Sequence, residues 1–341
     1  MEKKWLVIDS HTHFLPEEAV RKMGVSHGFD YTALLKGEMS IPYKRVQDIE
    51  GILRIMEDAG IDMAVENQAA VSIQGLEICK ALNDGYGRIL RQHPGKFIFC
   101  GHVPLEGGQD VVDEIDRCIN ELGLHGISLA SSAPDVSLDA PQLWPIYEKV
   151  NSLDIPIVLH PSVRFPIWGG GAKYELRRTV SREYDVTKAT VEVMYGVLKD
   201  FPDLKFLIPH YAGGIPGQKA RLRAWFEPAA LKIPAEIKNC PKTPRELNEL
   251  GIPKAFDEIF NKIYVDMAGA GAGWIPPIKV ALLMIRTDRI CFGTDYPYDM
   301  HTAEDIKAFI NTIKNLDIPE SDKRLMLGEN VKRLFKLPDK Y

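Results

Sequence analysis

Side chains of the kind that bind metal ions follow four short apolar runs, which lie far apart in the chain. The first run leads into His11 and His13, the second into His160, the third into His210 and the fourth into Asp295. A short β-favouring run that stops at such a side chain is typical of a barrel strand whose carboxyl end carries the chemistry. We therefore expect these side chains to converge on one pocket, and their imidazole and carboxylate groups predict a metal site.

The spacing of His11 and His13 places both side chains on the same face of an extended segment, so both can reach one ion. Three imidazole nitrogens and one carboxylate oxygen suit Zn, Fe, Co or Mn, and a position left for water is the catalytic pattern. We expect His11, His13, His160 and Asp295 to be the ligands, with His210 beside the ion and free to move protons. Two alternatives stay open: His210 as a fourth imidazole ligand, and Asp295 as an orienting or proton-carrying residue.

The elements that must position these residues alternate regularly along the chain. Eight strand-like and eight helix-like segments, which alternate with little interruption, predict a parallel sheet and an α/β fold of the (β/α)8 TIM barrel type, in one domain over residues 1–341. A doubly wound open sheet is the competing architecture, but it has no reason to bring the four polar endings together. The predicted strands lie near 5–9, 63–65, 97–103, 126–129, 155–160, 206–210, 263–267 and 290–295. The predicted helices lie near 46–59, 75–92, 110–122, 141–150, 186–199, 276–285, 302–315 and 321–335.

Long insertions are predicted near residues 14–45, 161–184 and 227–262, and long connections in compact domains are usually functional or disordered. The second follows His160 directly and contains Trp168, so we expect a pocket wall or lid, with a solvated surface loop as the alternative. The third, which is rich in proline, is expected to cover the barrel or to form a subunit contact. The basic residues of the second insertion are Arg164, Lys173, Arg177, Arg178 and Arg182.

The composition excludes several classes of partner. Of the 341 residues, 45% are apolar and 26% are charged, as in an ordinary globular protein. The net charge is −5, so binding to nucleic acid or to a membrane surface is not expected. Five cysteines without a CxxC pair indicate reduced thiols. The sequence shows neither a signal-peptide pattern nor an apolar stretch of membrane-spanning length, so a cytoplasmic location is expected.

The motifs around the polar endings resemble those of a known family. They read DSHTHFLP at 9–16, LHP at 159–161, PHYAGG at 209–214 and FGTDYP at 292–297. In this order, and along essentially the whole chain, they are similar to the amidohydrolase superfamily, and within it to the branch of aminocarboxymuconate semialdehyde decarboxylase and the aromatic acid decarboxylases. The resemblance implies one divalent ion at the four ligand positions named above, with Zn expected and Mn as the alternative. It also implies that His210 is the acid/base residue.

Two departures from the family's patterns are informative. Two-metal amidohydrolases use a carbamylated lysine at the end of strand four, but residues 126–131 contain no lysine, which disfavours a bridged pair of ions. The decarboxylases' carboxylate-binding arginine of the first long loop is replaced by Ser40, which argues against aminocarboxymuconate semialdehyde decarboxylase itself. Arg164 and Trp168 are then candidates for the acid-binding wall. Arg221 matches an arginine that reaches across a dimer interface, so the resemblance implies substrate binding by Arg221 and a homodimer or higher homo-oligomer.

These observations favour a metal-dependent nonoxidative decarboxylase of a small aromatic or dienoic carboxylic acid. The ion would bind a substrate oxygen, and His210 would be the proton donor to the carbon that loses CO2. No organic cofactor is expected, because the sequence has neither a GxGxxG fingerprint nor a P-loop. The alternative is a metal-dependent hydrolase, a lactonase or an amidase, that activates water on the ion. A hydratase and a metal-stabilised protein without turnover are further options.

Overall fold

Eight parallel strands form a barrel in the computed structural model, which describes residues 4–26, 29–31, 33, 36, 44–162, 176, 180–226, 256–269 and 275–339. The strands are β1 (Ile8–Thr12), β2 (Met63–Glu66), β3 (Phe97–His102), β4 (Gly126–Ala130), β5 (Pro156–His160), β6 (Lys205–Ile208), β7 (Tyr264–Asp266) and β8 (Ile290–Cys291). Each strand pairs with the next one along the chain.

Backbone hydrogen bonds bring the two edges of this sheet together. The Ser10 N–H donates to the Phe292 carbonyl at 2.7 Å, and the Asp295 N–H donates to the His11 carbonyl at 2.9 Å. The segment of β8 is thereby joined to β1. The predicted (β/α)8 TIM barrel is confirmed, and the doubly wound open sheet is excluded.

Helices follow the strands and pack around the barrel with an apolar stripe turned inward. Helix Ile49–Ala59 shows the pattern, since it buries Ile52 and Met56, which lie one turn apart. Asp48 caps its start, and the left-handed Gly60 (φ 81°) ends it. The α-helices of the described residues are Glu17–Met23, Ile49–Ala59, Ala69–Ser72, Leu76–Gln92, Gln109–Asn120, Trp144–Leu153, Arg182–Glu192, Leu198–Asp200, Ile215–Phe226, Phe256–Phe260, Ile275–Met284, Ala303–Lys314, Glu320–Arg324 and Asn330–Leu334.

The apolar core has two layers, because successive residues of a strand face opposite sides. On β2, Met63 and Val65 belong to the cluster inside the barrel, whereas Ala64 packs in the layer of the helices. The last helix, Asn330–Leu334, adds its apolar side chains to the interior cluster. The residue after it, Phe335, lies against Gly126 at the start of β4, so this helix covers the end where the strands begin. The opposite end, where the strands finish, is left for a pocket.

Several element boundaries differ from the predictions. β6 ends at Ile208 rather than at residue 210, so His210 lies in the turn that follows the strand. β1 extends to Thr12 rather than stopping near residue 9, so His11 lies within the strand. β8 consists of Ile290–Cys291 and stops well before residue 295; Asp295 itself takes a left-handed conformation (φ 52°) that a strand cannot contain. The helix expected from residue 186 begins at Arg182, so the end of the insertion at 161–184 is helical.

The predicted insertions are described only in part. The first contains helix Glu17–Met23 and a short antiparallel pair, Val25–Ser26 with Phe29–Asp30. The second is described at 161, 162, 176 and 180–184. Arg164 and Trp168, which are predicted for the acid-binding wall, therefore lie outside the described residues. The third is described from Phe256 onwards, where helix Phe256–Phe260 begins.

The cysteines that the structure describes are buried and unpaired. They are Cys79, Cys100, Cys118 and Cys291, and burial raises the pKa of each thiol above its ordinary value. Buried cysteines without a disulfide agree with the reduced thiols that the sequence predicts. Within the described ranges, no helix combines the length and the apolarity that crossing a membrane requires.

The buried carboxyl group of Glu66, at the end of β2, makes stability depend on pH. Burial raises its pKa from 4.5 to about 8, although the Thr12 hydroxyl donates to its Oε1 at 2.9 Å. The folded chain therefore holds a proton that the unfolded chain releases, and the stability contributed by this group is lost as the pH rises from about 4.5 to about 8. The slope for one such group is at most about 1.4 kcal/mol per pH unit.

Glu66→Gln is expected to be more stable than the wild type at about pH 7.5, and this advantage should shrink as the pH falls towards 4.5. The amide keeps an acceptor for the Thr12 hydroxyl and cannot ionise in either the folded or the unfolded chain. Urea denaturation of both proteins at several pH values measures the difference. A difference in unfolding free energy that does not change with pH would contradict the raised pKa of Glu66.

Candidate metal centre

Three histidines from two strands face one another at the open end of the barrel. His11 lies on β1, His13 follows that strand directly, and His160 ends β5. Their ring centroids are 5.1, 5.2 and 5.0 Å apart. One nitrogen of each ring lies within 4.8 Å of the nitrogens of the other two. The structure thus brings together three of the four predicted ligands in a way that lets one ion contact all of them.

The orientation of each ring is set by a hydrogen bond at Nδ1. Each Nδ1 faces an oxygen that can only accept, so Nδ1 carries the proton and Nε2 of the neutral ring keeps its lone pair. Such a lone pair is what a divalent ion binds. Nε2 of His11 is buried and lacks a partner among the described residues. The acceptors are Asp266 Oδ2 for His11 (2.7 Å), the Asn67 carbonyl for His13 (2.6 Å) and the Pro161 carbonyl for His160 (3.0 Å).

Asp295 brings a carboxylate to the same place. Its Oδ1 lies 2.7 Å from Nε2 of His13 and 3.8 Å from Nε2 of His11. Since Nδ1 of His13 holds the proton of the neutral ring, its Nε2 and the carboxylate need a second proton or a cation between them. Burial lowers the pKa of His13, which favours the cation. Three imidazole nitrogens and one carboxylate oxygen therefore fit a divalent ion.

The electrostatics of the pocket suit a cation. Burial holds the pKa of His160 well below its ordinary 6.5 and also lowers that of His13, so both rings are neutral at neutral pH. Burial opposes ionisation of Asp295, but the hydrogen bond with His13 and the nearby imidazole charges hold its pKa below the ordinary range. At His11, burial lowers the pKa, but the carboxylates of Asp266, Asp295 and Asp9 together outweigh it and raise the pKa to about 9. A bound ion replaces the extra proton of that ring.

The turn that carries Asp295 is anchored to β1 by the buried Asp9. The carboxylate of Asp9 accepts from the Thr294 hydroxyl (2.6 Å), the Thr294 N–H (3.1 Å) and the His11 N–H (3.1 Å). Burial raises the pKa of Asp9 to about 7, and these hydrogen bonds partly offset the rise. The first and last strands are thus joined where two of the candidate ligands lie.

His210 lies beside the three-histidine group rather than within it. Its ring centroid is 5.5 Å from that of His11, and its Nδ1 faces Glu183 Oε1 at 2.9 Å. Its Nε2 is buried and has no partner in the part of the chain that the structure describes. Because Glu183 accepts at Nδ1, Nε2 is the nitrogen that is free to exchange a proton with a substrate.

The backbone that carries His210 is strained. His210, Tyr211 and Ala212 have φ angles of 55°, 53° and 60°, a left-handed region that costs about 1–3 kcal/mol for each residue other than glycine. Asp266 Oδ1 helps to hold this turn by accepting the His210 N–H at 2.9 Å. Gly269 packs directly on the ring, since a Cβ there would lie 2.7 Å from Cγ of His210.

Asp266, at the end of β7, serves both sides of the pocket. Its Oδ2 accepts from the His11 ring, and its Oδ1 accepts from the N–H groups of His210 and Ala268 (3.0 Å). Asp266 is not among the residues predicted for the site. The available signal was its position at the end of an apolar run, which it shares with the predicted ligands.

Asp266→Asn is expected to weaken metal binding by about 10- to 100-fold. The amide oxygen can still accept from His11, but the NH2 group then faces the N–H donors of His210 and Ala268. Competition titration against a chromogenic chelator measures the dissociation constant. Asp203→Asn, in an exposed turn, is the control. Equal affinities of the wild type and both variants would refute this role.

The structure brings Arg182 to the pocket, although it is predicted only as one of the basic residues of an insertion. Its Nη1 lies 4.0 Å from Asp295 Oδ2, and its Nε donates to Glu183 Oε1 at 3.1 Å. Arg221 is exposed on helix Ile215–Phe226. The predicted roles in substrate binding of three residues remain untested predictions: Arg221, Arg164 and Trp168.

The fold and the site together place this chain in a class: it is a (β/α)8 barrel protein with a candidate site for one metal ion at the open end of the barrel. The chain belongs to the amidohydrolase family, whose sequence model, described as Amidohydrolase, matches residues 8–337. The match runs from β1 to the end of the last helix, which confirms the resemblance seen in the motifs.

Individual relatives match along nearly the whole chain. The 2-amino-3-carboxymuconate-6-semialdehyde decarboxylase of Dictyostelium discoideum is 26% identical over 362 residues, covering 98% of this chain and 93% of that protein. The gamma-resorcylate decarboxylase of Polaromonas sp. is 26% identical over 350 residues, covering 95% and 97%. A crystal structure of 5-carboxyvanillate decarboxylase from Novosphingobium aromaticivorans, complexed with manganese and 4-hydroxy-3-methoxy-5-nitrobenzoic acid, has a TM-score of 0.80 at 20% identity, covering 98% and 97%. The last similarity shows the shared fold.

Proposed function

We propose that this protein is a metal-dependent carboxy-lyase that removes CO2 from a small aromatic or dienoic carboxylic acid without oxidation. The observation that carries the proposal is the buried Nε2 of His210, which has no partner among the described residues and lies beside three imidazoles that share one centre. Two relatives that match the chain from end to end are named decarboxylases, which supports this reaction over others compatible with the same side chains.

The residues of this chain supply binding, orientation and proton transfer. His11, His13, His160 and Asp295 would hold one divalent ion, which when bound supplies a Lewis acid for a substrate oxygen. His210 delivers a proton from Nε2 to the carbon that bears the carboxylate. The bond to the carboxylate then breaks, its electron pair restores the conjugated system, and CO2 leaves. Since carbon gains a proton and no electrons are exchanged with an acceptor, we propose no organic cofactor.

Zinc is the ion that we propose, with manganese as the alternative. Three imidazoles and a carboxylate suit either ion. The manganese complex of 5-carboxyvanillate decarboxylase supports the alternative, because that protein shares the barrel fold. Elemental analysis of protein purified without added metal distinguishes the two ions.

The test of the reaction is a comparison of substrates with the protein loaded with zinc or with manganese. Hydroxybenzoic acids, including 2,6-dihydroxybenzoate, should release CO2 in amounts equal to the phenol formed. Formation of a carboxylate from a lactone, without CO2, would instead establish the hydrolase. Addition of water to a dienoic acid, again without CO2, would establish a hydratase. The metal-free protein is the control in every case.

We also propose that the protein is a homodimer or a higher homo-oligomer, with Arg221 binding the substrate carboxylate. The exposure of Arg221 on helix Ile215–Phe226 leaves its side chain accessible to a second subunit. Analytical ultracentrifugation of the metal-loaded protein tests the oligomeric state. A monomer at all concentrations would exclude the role across an interface.

A further inference from the structure

The first turn of helix Arg182–Glu192 contacts the ends of several barrel strands. Arg182 forms an ion pair with Asp295, beyond β8, and Glu183 hydrogen-bonds His210, beyond β6. The buried Asp185 accepts from Ser131 and from the Ser162 N–H, beyond β4 and β5. One helical turn therefore reaches four positions around the open end of the barrel, two of which belong to the candidate site.

The contact between Glu183 and His210 selects one form of the imidazole. Glu183 Oε1 lies 2.9 Å from Nδ1, and an ionised carboxylate can only accept, so the proton of the neutral ring is on Nδ1. The opposite atom, Nε2, is buried and unpartnered within the described ranges. The Gly269 backbone lies against the ring, where a Cβ would be 2.8 Å from Nδ1, so the ring has little room to turn.

Glu183 is itself held in place from two directions. The Nε of Arg182 donates to the same oxygen, Oε1, at 3.1 Å. The Thr187 hydroxyl donates to the Glu183 carbonyl at 2.8 Å and accepts from the Gly214 N–H at 2.8 Å. The main chain at the start of the helix is thereby joined to the loop that carries His210.

We propose that Glu183 is a positioning residue that keeps His210 in the tautomer with the proton on Nδ1, and that Arg182 holds Glu183 in place. Nε2 of the neutral ring then accepts a proton from solvent and delivers it in each turnover, while the other proton stays on Nδ1, hydrogen-bonded to Glu183. The assignment of turnover to His210 rests on the proposed function; the tautomer does not, and it can be measured without substrate.

The tautomer is measured by two-bond hydrogen–nitrogen correlation on zinc-loaded protein with 15N-labelled histidine. The His210 signal is identified by its absence in His210→Asn. In the wild type the pattern should be that of a proton on Nδ1. In Glu183→Ala it should move towards a mixture of both tautomers, whereas Glu183→Gln, whose amide oxygen still accepts, should stay close to the wild type. A proton on Nε2 in the wild type, or an unchanged pattern in Glu183→Ala, overturns the proposal.

Kinetics separate positioning from a merely structural role. Glu183→Ala should lower kcat by about 10- to 100-fold with unchanged KM and metal content, and Glu183→Gln should lose less. Glu304→Ala is the matched control, because Glu304 is exposed at the same second position of helix Ala303–Lys314. If the wild type decarboxylates none of the acids tested, the proposed function fails, and the tautomer measurement still decides the role of Glu183. Loss of metal together with kcat would mean that Glu183 only supports the fold.

Discussion

His210→Asn is expected to lower the turnover of the decarboxylation by about 1,000-fold while leaving the bound metal in place, since general acid catalysis contributes about 10²–10⁴. The physical reason is the position of the ring. Its Nε2 is buried, lies next to the three-histidine group and has no partner among the residues described, whereas asparagine offers no group that can deliver a proton at this place. Single-turnover kinetics and elemental analysis of the same preparation measure both quantities.

The control for this variant is His301→Asn, since His301 is an exposed histidine outside the three-histidine group. It should keep both metal and turnover. Loss of metal in His210→Asn would show that His210 is a fourth ligand, which is the alternative left open by the sequence. Full activity of the variant would remove His210 from the reaction altogether.

Removal of the metal is expected to abolish turnover, and zinc or manganese should restore it. The buried Nε2 of His11 and the pair formed by His13 and Asp295 at 2.7 Å are placed to bind a cation. The metal-loaded protein should also unfold at a higher temperature than the metal-free protein, because an ion that binds only the folded state stabilises it. Dialysis against a chelator, followed by assay and calorimetry, tests both effects.

His13→Ala tests the same requirement for metal by mutation, because it removes one of the proposed ligands. It should lose turnover, and added metal should not restore it. His93→Ala, at the end of helix Leu76–Gln92, is the matched control and should behave as the wild type does. Carefully prepared protein that contains no ion and remains fully active would refute the metal centre.

The fold and the three-histidine group could be predicted because both follow from local patterns. Apolar runs that alternate with helical stripes imply parallel strands, and parallel strands in a barrel finish at the same end. A ligand-type residue at the end of such a run, as with His160, is thereby placed near every other one. Their convergence can therefore be predicted without knowing the distance between any two of them.

The residues that hold the site could not be predicted in the same way. Asp266 is 255 positions away from His11, and only the closed barrel makes them partners. Glu183 and Arg182 fall in a stretch whose charges favour a loop, and they act because the helix begins there. The left-handed turn at Asp295 follows the end of β8, and the contact of Thr294 next to it with Asp9 joins residues 285 positions apart.

The two carboxylate oxygens of Asp266 have different partners in the site, and this has a practical consequence. One atom steadies an imidazole of the three-histidine group, and the other steadies the main chain of His210. If His11 binds the proposed ion and His210 is the proposed proton donor, loading of the ion and alignment of the donor are coupled through a single side chain. Any attempt to redesign the protein for another ion will alter its acid–base behaviour as well, unless both oxygens keep their present partners.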